Sequence, residues 1–159
     1  MIESIDVQSL DEQPVAVVRG SARAEEIGEV VGSAYAEVLG TLAAYGLGPV
    51  GAPVIRYHQG EGGMDGSGQA EVFALEAGFP CPAEFRGTAS VEVAALPGGE
   101  AVVAVHVGAW AELGEAYAAV EAYLADHGLA RAGDPWETYL DGPDVAVHRT
   151  ILTLPCRTR

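Results

Sequence analysis

Residues 32–48 and 114–130 match without a gap at an offset of 82 positions, and nine of the 17 pairs are identical. The shared positions include Tyr35/Tyr117, Val38/Val120, Leu42/Leu124 and the pairs Gly46-Leu47/Gly128-Leu129. Apolar identities at steps of three and four mark one face of a helix, and a glycine just past the last of them marks its end. The same offset lays Pro53 on Pro135 and Tyr57 on Tyr139, so the helix, the turn and the following strand all repeat. A repeat of this length points to an internal duplication. Each half reads strand, helix, strand, strand, over residues 5–80 and 88–156 of a single domain spanning 1–159. Two such halves can join as an α+β fold of pseudo-twofold symmetry. In it an antiparallel sheet carries both helices on one side and leaves the other face available for a ligand.

The individual elements follow from local pattern. β-type runs are expected at residues 5–10, 14–19, 54–58, 70–79, 89–96 and 101–107, and again at 136–140. Within 70–79 the alternation groups Phe73, Leu75, Ala77 and Phe79, against Val72, Ala74 and Glu76. A first helix is predicted from about Ala24 to Tyr45, with Glu25 and Glu26 near its positive end, and a second from about Ala109 to His127. Between strands 54–58 and 70–79 lies the glycine-rich stretch 59–68. It lacks the Gly-Lys-Ser/Thr ending of a phosphate cradle and reads as a mobile hairpin loop.

Charge narrows the possible partners. With 23 acidic and eight basic residues the net charge is −15, which disfavours nucleic acid and anionic membranes and favours mild attraction of cations. No apolar run approaches the roughly 20 residues needed to cross a bilayer, and Met1–Asp6 has neither the basic leader nor the apolar core of a signal peptide. Cys81 and Cys156 lie 75 positions apart, too sparse for a disulfide framework, so a reducing cytoplasm is the expected setting. His58, His127 and His148 show no ligand spacing with one another or with the cysteines, and no metal or other cofactor is expected. A Gly-x-Ser-x-Gly elbow is also missing.

The segment Asp134–Pro143 sets one carboxylate among aromatic residues between two turn signals. Alternation places Glu137 and Tyr139 on one face of the strand, and Trp136, Thr138 and Leu140 on the other. An acidic and an aromatic side chain pointing the same way suit a cationic or polarised organic ligand, whereas the plainer reading is a surface glutamate on an edge strand. The repeat supports the first reading: 82 positions earlier, Glu137 is matched by Ile55. A strand that is only structural does not need a carboxylate in one copy and an apolar residue in the other. Trp136 is expected to anchor the core against a helix, and Tyr35 and Tyr117 are expected to be core residues. His106, between Val105 and Val107, either lines a cleft or hydrogen-bonds to backbone.

Three motifs together resemble the GyrI-like small-molecule-binding family, which includes the effector-binding domains of AraC-type and MerR-type regulators. They are Gly108-Ala109-Trp110-x-x-Leu113-x-x-Ala116-Tyr117, the strand Trp136–Pro143, and Glu76-Ala77-Gly78-Phe79-Pro80. The resemblance spans nearly the whole chain. It implies a GyrI-like or SHS2-type pair of half-domains with a ligand cleft between them, into which the glutamate matched by Glu137 points. Tyr139, Tyr57, Trp110 and His106 are the other candidate ligand-binding residues. Trp110 stands where the family usually has a smaller aromatic.

The function expected is a stand-alone binding module, without a DNA-reading segment, that senses or sequesters a hydrophobic, aromatic or cationic molecule in the multidrug manner. Some GyrI-like proteins resemble hydrolases of strained cyclopropane-containing natural products. On that alternative Glu137 is a general base, and Tyr139 or Tyr57 orients the substrate or supplies a proton. A gyrase-inhibitory, protein-partner role is the third reading the resemblance keeps open.

Overall fold

The computed structural model describes residues 1–63 and 72–159, with side chains at 1–58 and 72–159. Residues 64–68 of the expected glycine-rich loop lie outside the described residues. The protein is α+β, with antiparallel strand pairing and two helices, and it divides into two compact units, 13–96 and 1–12 with 97–159.

In unit 13–96 the strands are β2 (Gln13–Arg23), β3 (Val54–Gly63), β4 (Val72–Pro80) and β5 (Glu92–Leu96), paired in the order β3-β4-β2-β5. Helix α1 (Ile27–Ala44) follows a 3-10 turn at Ala24–Glu26 and buries Val31, Ala34, Val38 and Leu42, the stripe that the three-and-four spacing marks. Val38 and Leu42 pack with Ala16, Phe79, Cys81, Phe85 and Val91. Full burial of one such leucine stabilises by roughly 1.5–3 kcal/mol. The helix stops where Gly46 takes φ 71°, and Leu47 then donates its N–H to the Leu42 carbonyl at 2.9 Å.

The other unit contains β1 (Ile2–Leu10), β6 (Gly99–Val107), α2 (Gly114–Asp126), β7 (Leu129–Arg131), β8 (Trp136–Tyr139) and β9 (Arg149–Thr158). Its pairing order is β8-β9-β6-β1, with β7 on the far end of β9. Ala116, Val120 and Leu124 of α2 pack on Val102, Ala104, Leu152, Leu154 and Cys156. Pair registers match the two units position by position: Val54 opposes Gly78 as Trp136 opposes Thr153, and Gly78 opposes Val17 as Thr153 opposes Val103. On that match Cys81 and Cys156 are equivalent, both buried and both free.

The strand-helix-strand-strand repeat is present, but its boundaries differ from the expected 5–80 and 88–156. Strand β1 pairs with β6, and β5 pairs with β2, so the chain's first strand completes the second copy and the strand after β4 completes the first. Alternation fixes which face a strand buries and leaves its partner open, which is why the sequence pattern assigned both strands to the wrong half. Two further differences are local. β3 extends to Gly63, pairing Gly62 with Phe73 after a register shift, and the expected helices each begin with a 3-10 turn. Among the described residues no helix is long and apolar enough to cross a membrane.

Candidate functional site

Strand β8 is only four residues long because Asp134-Pro135 precedes it and Gly142-Pro143 follows. Glu137 pairs with Leu152, which pairs with Ala104, and Tyr139 pairs with Thr150. Directly paired residues share a face, so Glu137 and Tyr139 point to the side that α2 covers. The two candidate residues therefore lie on the face opposite to the one expected to be left open for a ligand. Trp136, by contrast, is 5% exposed and pairs with Thr153 and through it with Val103, on the face away from α2. It is buried, but it is not an anchor against that helix.

Glu137 is 5% exposed. Its Oε2 accepts a hydrogen bond from the Tyr117 hydroxyl at 2.5 Å, and its Oε1 accepts one from the Tyr139 hydroxyl. Among the described residues no cationic side chain forms an ion pair with it. Burial pushes its carboxyl above the usual range, and the two tyrosine hydroxyls pull in the opposite direction without cancelling it. A carboxylate so placed meets the full cost of desolvation and receives two neutral donors in return.

Trp110, 38% exposed, forms the outer wall. Its ring stands edge-on to Tyr139, with centroids 5.8 Å apart, and stacks on His148 at 4.1 Å. The connection that carries His148 is clamped at its base: the Arg149 guanidinium grips the Asp141 carboxylate at 2.9 and 3.0 Å, and the Leu140 N–H donates to the Arg149 carbonyl. The guanidinium holds Asp141 below the usual carboxylate range.

Of the five residues singled out from sequence, the structure brings three together: Glu137, Tyr139 and Trp110. His106 is fully buried on the same face, where its Nε2 lies 3.3 Å from the Met1 nitrogen and 3.6 Å from Glu115 Oε1. Tyr57 belongs to the other unit, and its ring packs edge-on to Phe73 at 6.1 Å. Tyr117 and His148 were missed. Tyr117 does pack on the α2 core, as expected of it, but its hydroxyl reaches past the core to the carboxylate. Its repeat partner Tyr35 packs at a tilt against Phe79, with centroids 5.2 Å apart, and sends its hydroxyl to the Val54 carbonyl. Unit 13–96 holds a second buried carboxylate, Glu76, which contacts His58 Nε2 on the face away from α1. No cluster of three metal-ligating side chains occurs among the described residues.

A family model for the GyrI-like small molecule binding domain matches residues 3–155. The chain belongs to that family. Solved structures similar to this GyrI-like chain include the EcmrR C-terminal domain, with a TM-score of 0.79, 17% identity and 98% of each chain covered. A hydrolase from Listeria innocua superposes at 0.65 with 18% identity, covering 97% of this chain and 92% of its own. An uncharacterized conserved protein from Listeria innocua gives 0.73 at 19%, with 97% and 92% covered. At such identities the likeness is one of fold. No curated protein matches the chain.

Proposed function

We propose that this GyrI-like chain binds a hydrophobic, aromatic organic cation through unit 1–12 with 97–159, and so senses or sequesters it. The observation that carries the reading is Glu137: a carboxylate 5% exposed, held by two tyrosine hydroxyls and paired with no cation among the described residues. A cation entering beside it regains the charge pairing that burial took away, and the faces of Tyr139 and Trp110 offer ring attraction as well. The test is a titration with a cationic aromatic dye and its uncharged isostere. At least tenfold preference for the cation is expected, and equal affinity would overturn the reading.

A hydrolytic reading draws support from the same group. A carboxyl made more basic by burial, with the Tyr139 hydroxyl on one oxygen and that of Tyr117 on the other, has the makings of a general base. Glu137 would take a proton from water as the water attacks a strained ring carbon, and a tyrosine would protonate the leaving carbon. A hydrolase from Listeria innocua shares the fold. Recovery of the incubated compound intact, rather than with one water added, separates binding from turnover.

The charge of −15 supports a further expectation, that the chain is not retained on duplex DNA at physiological salt. A gel shift that fades steeply with added salt would contradict it.

A further inference from the structure

Beside the Glu137 site runs a row of buried polar side chains that neither tyrosine hydroxyl satisfies. Tyr139 pairs with Thr150, and Thr150 pairs with His106, so the three side chains stand in line across β8, β9 and β6 on the face under α2. Thr150 and His106 are both fully buried. Thr150 Oγ1 and His106 Nδ1 have no hydrogen-bond partner among the described residues. An orphaned polar atom in such a place costs about 1–3 kcal/mol, so its retention calls for a compensating use.

The duplication provides an independent second observation. On the matched registers, Thr150 stands where the first copy has Leu75, His106 where it has Gly20, and Glu137 where it has Ile55. Three neighbouring positions on one face are apolar in one copy and hydrogen-bonding in the other. Tyr139 and Tyr57, in the same row, are alike. The polar change is therefore confined to the ground around Glu137 and extends from it toward β6.

The chemistry of the row can be read from its donors. The Met1 nitrogen can only donate to His106 Nε2, which makes Nδ1 the ring's donor atom, and Thr150 adds a hydroxyl next to it. The Met1 nitrogen and Glu115 Oε1 both lie on the Nε2 side of His106. The inner end of the row thus presents donors, whereas the Glu137 end presents a carboxylate. Two strand spacings, roughly 10 Å, separate Tyr139 from His106.

We infer that Thr150 and His106 form a specificity subsite for a hydrogen-bond acceptor, such as a carbonyl or ether oxygen, carried by the ligand about 5–10 Å from its cationic group, one to two strand spacings away. This rests on the cation reading of Glu137 and deepens it: the ligand has two ends, a cation for Glu137 and an oxygen for the row. Thr150 and His106 act on selectivity, and not on charge recognition.

The test uses the full chain and two probes that differ by one carbonyl, tetraphenylphosphonium and (4-acetylphenyl)triphenylphosphonium. The unaltered protein should prefer the acetylated probe by about three- to tenfold, the yield of one neutral hydrogen bond. Thr150→Val, nearly isosteric, should abolish that preference, leave tetraphenylphosphonium affinity within about twofold, and raise Tm because a buried orphan hydroxyl is gone. Equal affinity of the unaltered protein for the two probes, or an unchanged preference in Thr150→Val, would overturn the subsite alone and leave Thr150 and His106 as hosts of an internal water. Failure of both probes to bind would overturn the cation reading, and this subsite with it.

Discussion

Glu137→Gln is expected to weaken a cationic aromatic dye by about ten- to a hundredfold while leaving its uncharged isostere within about twofold. Charge-assisted hydrogen bonds contribute roughly 1.5–3 kcal/mol, which sets that range. The variant should also be more stable than the parent at neutral pH. Burial raises the Glu137 carboxyl above its unfolded value, so between those two values the folded chain holds a proton that the unfolded chain has lost. Its contribution to stability is complete below the unfolded pKa and is lost as pH rises through the folded one. Glutamine removes that loss, and each ~1 kcal/mol recovered raises Tm by roughly 2–4 °C. Cation affinity in the parent runs the opposite way, rising with pH as the carboxyl ionises, and in the variant it should be flat. A Tm that rises while affinity falls separates a binding residue from a structural one. If Glu137 is instead a general base, the same variant loses turnover and keeps its ground-state affinity. An unchanged titration together with an unchanged product assay would return Glu137 to the ordinary residues of a strand.

Gly78→Ala should cost about 3 kcal/mol or more and deprive the protein of a cooperative melting transition at ordinary temperatures. A Cβ on Gly78 would lie 1.8 Å from the Ala16 carbonyl oxygen and 2.9 Å from the Val17 Cα, and both obstacles are backbone. β4 is held between β3 and β2, so it can yield only by giving up pairs on one side. The matched residue, Thr153, carries a branched side chain at 4% exposure. Thr153→Ala should therefore be far milder, near 1 kcal/mol. Circular-dichroism melts of the two variants side by side would show whether the close approach belongs to this one pair of strands. Equal losses would contradict that.

Legibility of these features in the sequence depended on how the two copies are spaced. Helices α1 and α2 and the strands after them keep the offset of 82, so Tyr35/Tyr117 and Ile55/Glu137 could be compared directly. The hairpin that follows is shorter in the second copy: Thr153 stands where Gly78 does, only 75 positions on. The comparison of Thr150 with Leu75 was thereby hidden. His148 follows the altered connection, so its counterpart by register, Phe73, is likewise hidden from the offset of 82. Tyr117 failed for another reason. An aromatic on the buried stripe of a helix reads as core from periodicity, and whether its hydroxyl ends on a carbonyl or a carboxylate depends on one residue of a strand 20 positions away. The partners of β1 and β5 were out of reach because a half-buried strand does not name its neighbour.

The interleaved pairing of β1 with β6 also sets a timetable for a chain made from its N-terminus. Residues 13–96 are contiguous and can close their sheet as soon as they emerge, but β1, synthesised before them, must wait for β6 at Gly99–Val107. At 5–20 residues per second the interval is roughly 5–20 s. During it Ile2, Ile5 and Val7, which end up packed against the α2 core, have nowhere to go. An unpaired apolar strand on a nascent chain is a template for its neighbours on the same message. Asp6 and Glu3, alternating with those residues, supply the charge that works against such pairing. Neutralising both should lower the soluble yield of the protein in rapid expression long before it changes the melting temperature of what does fold.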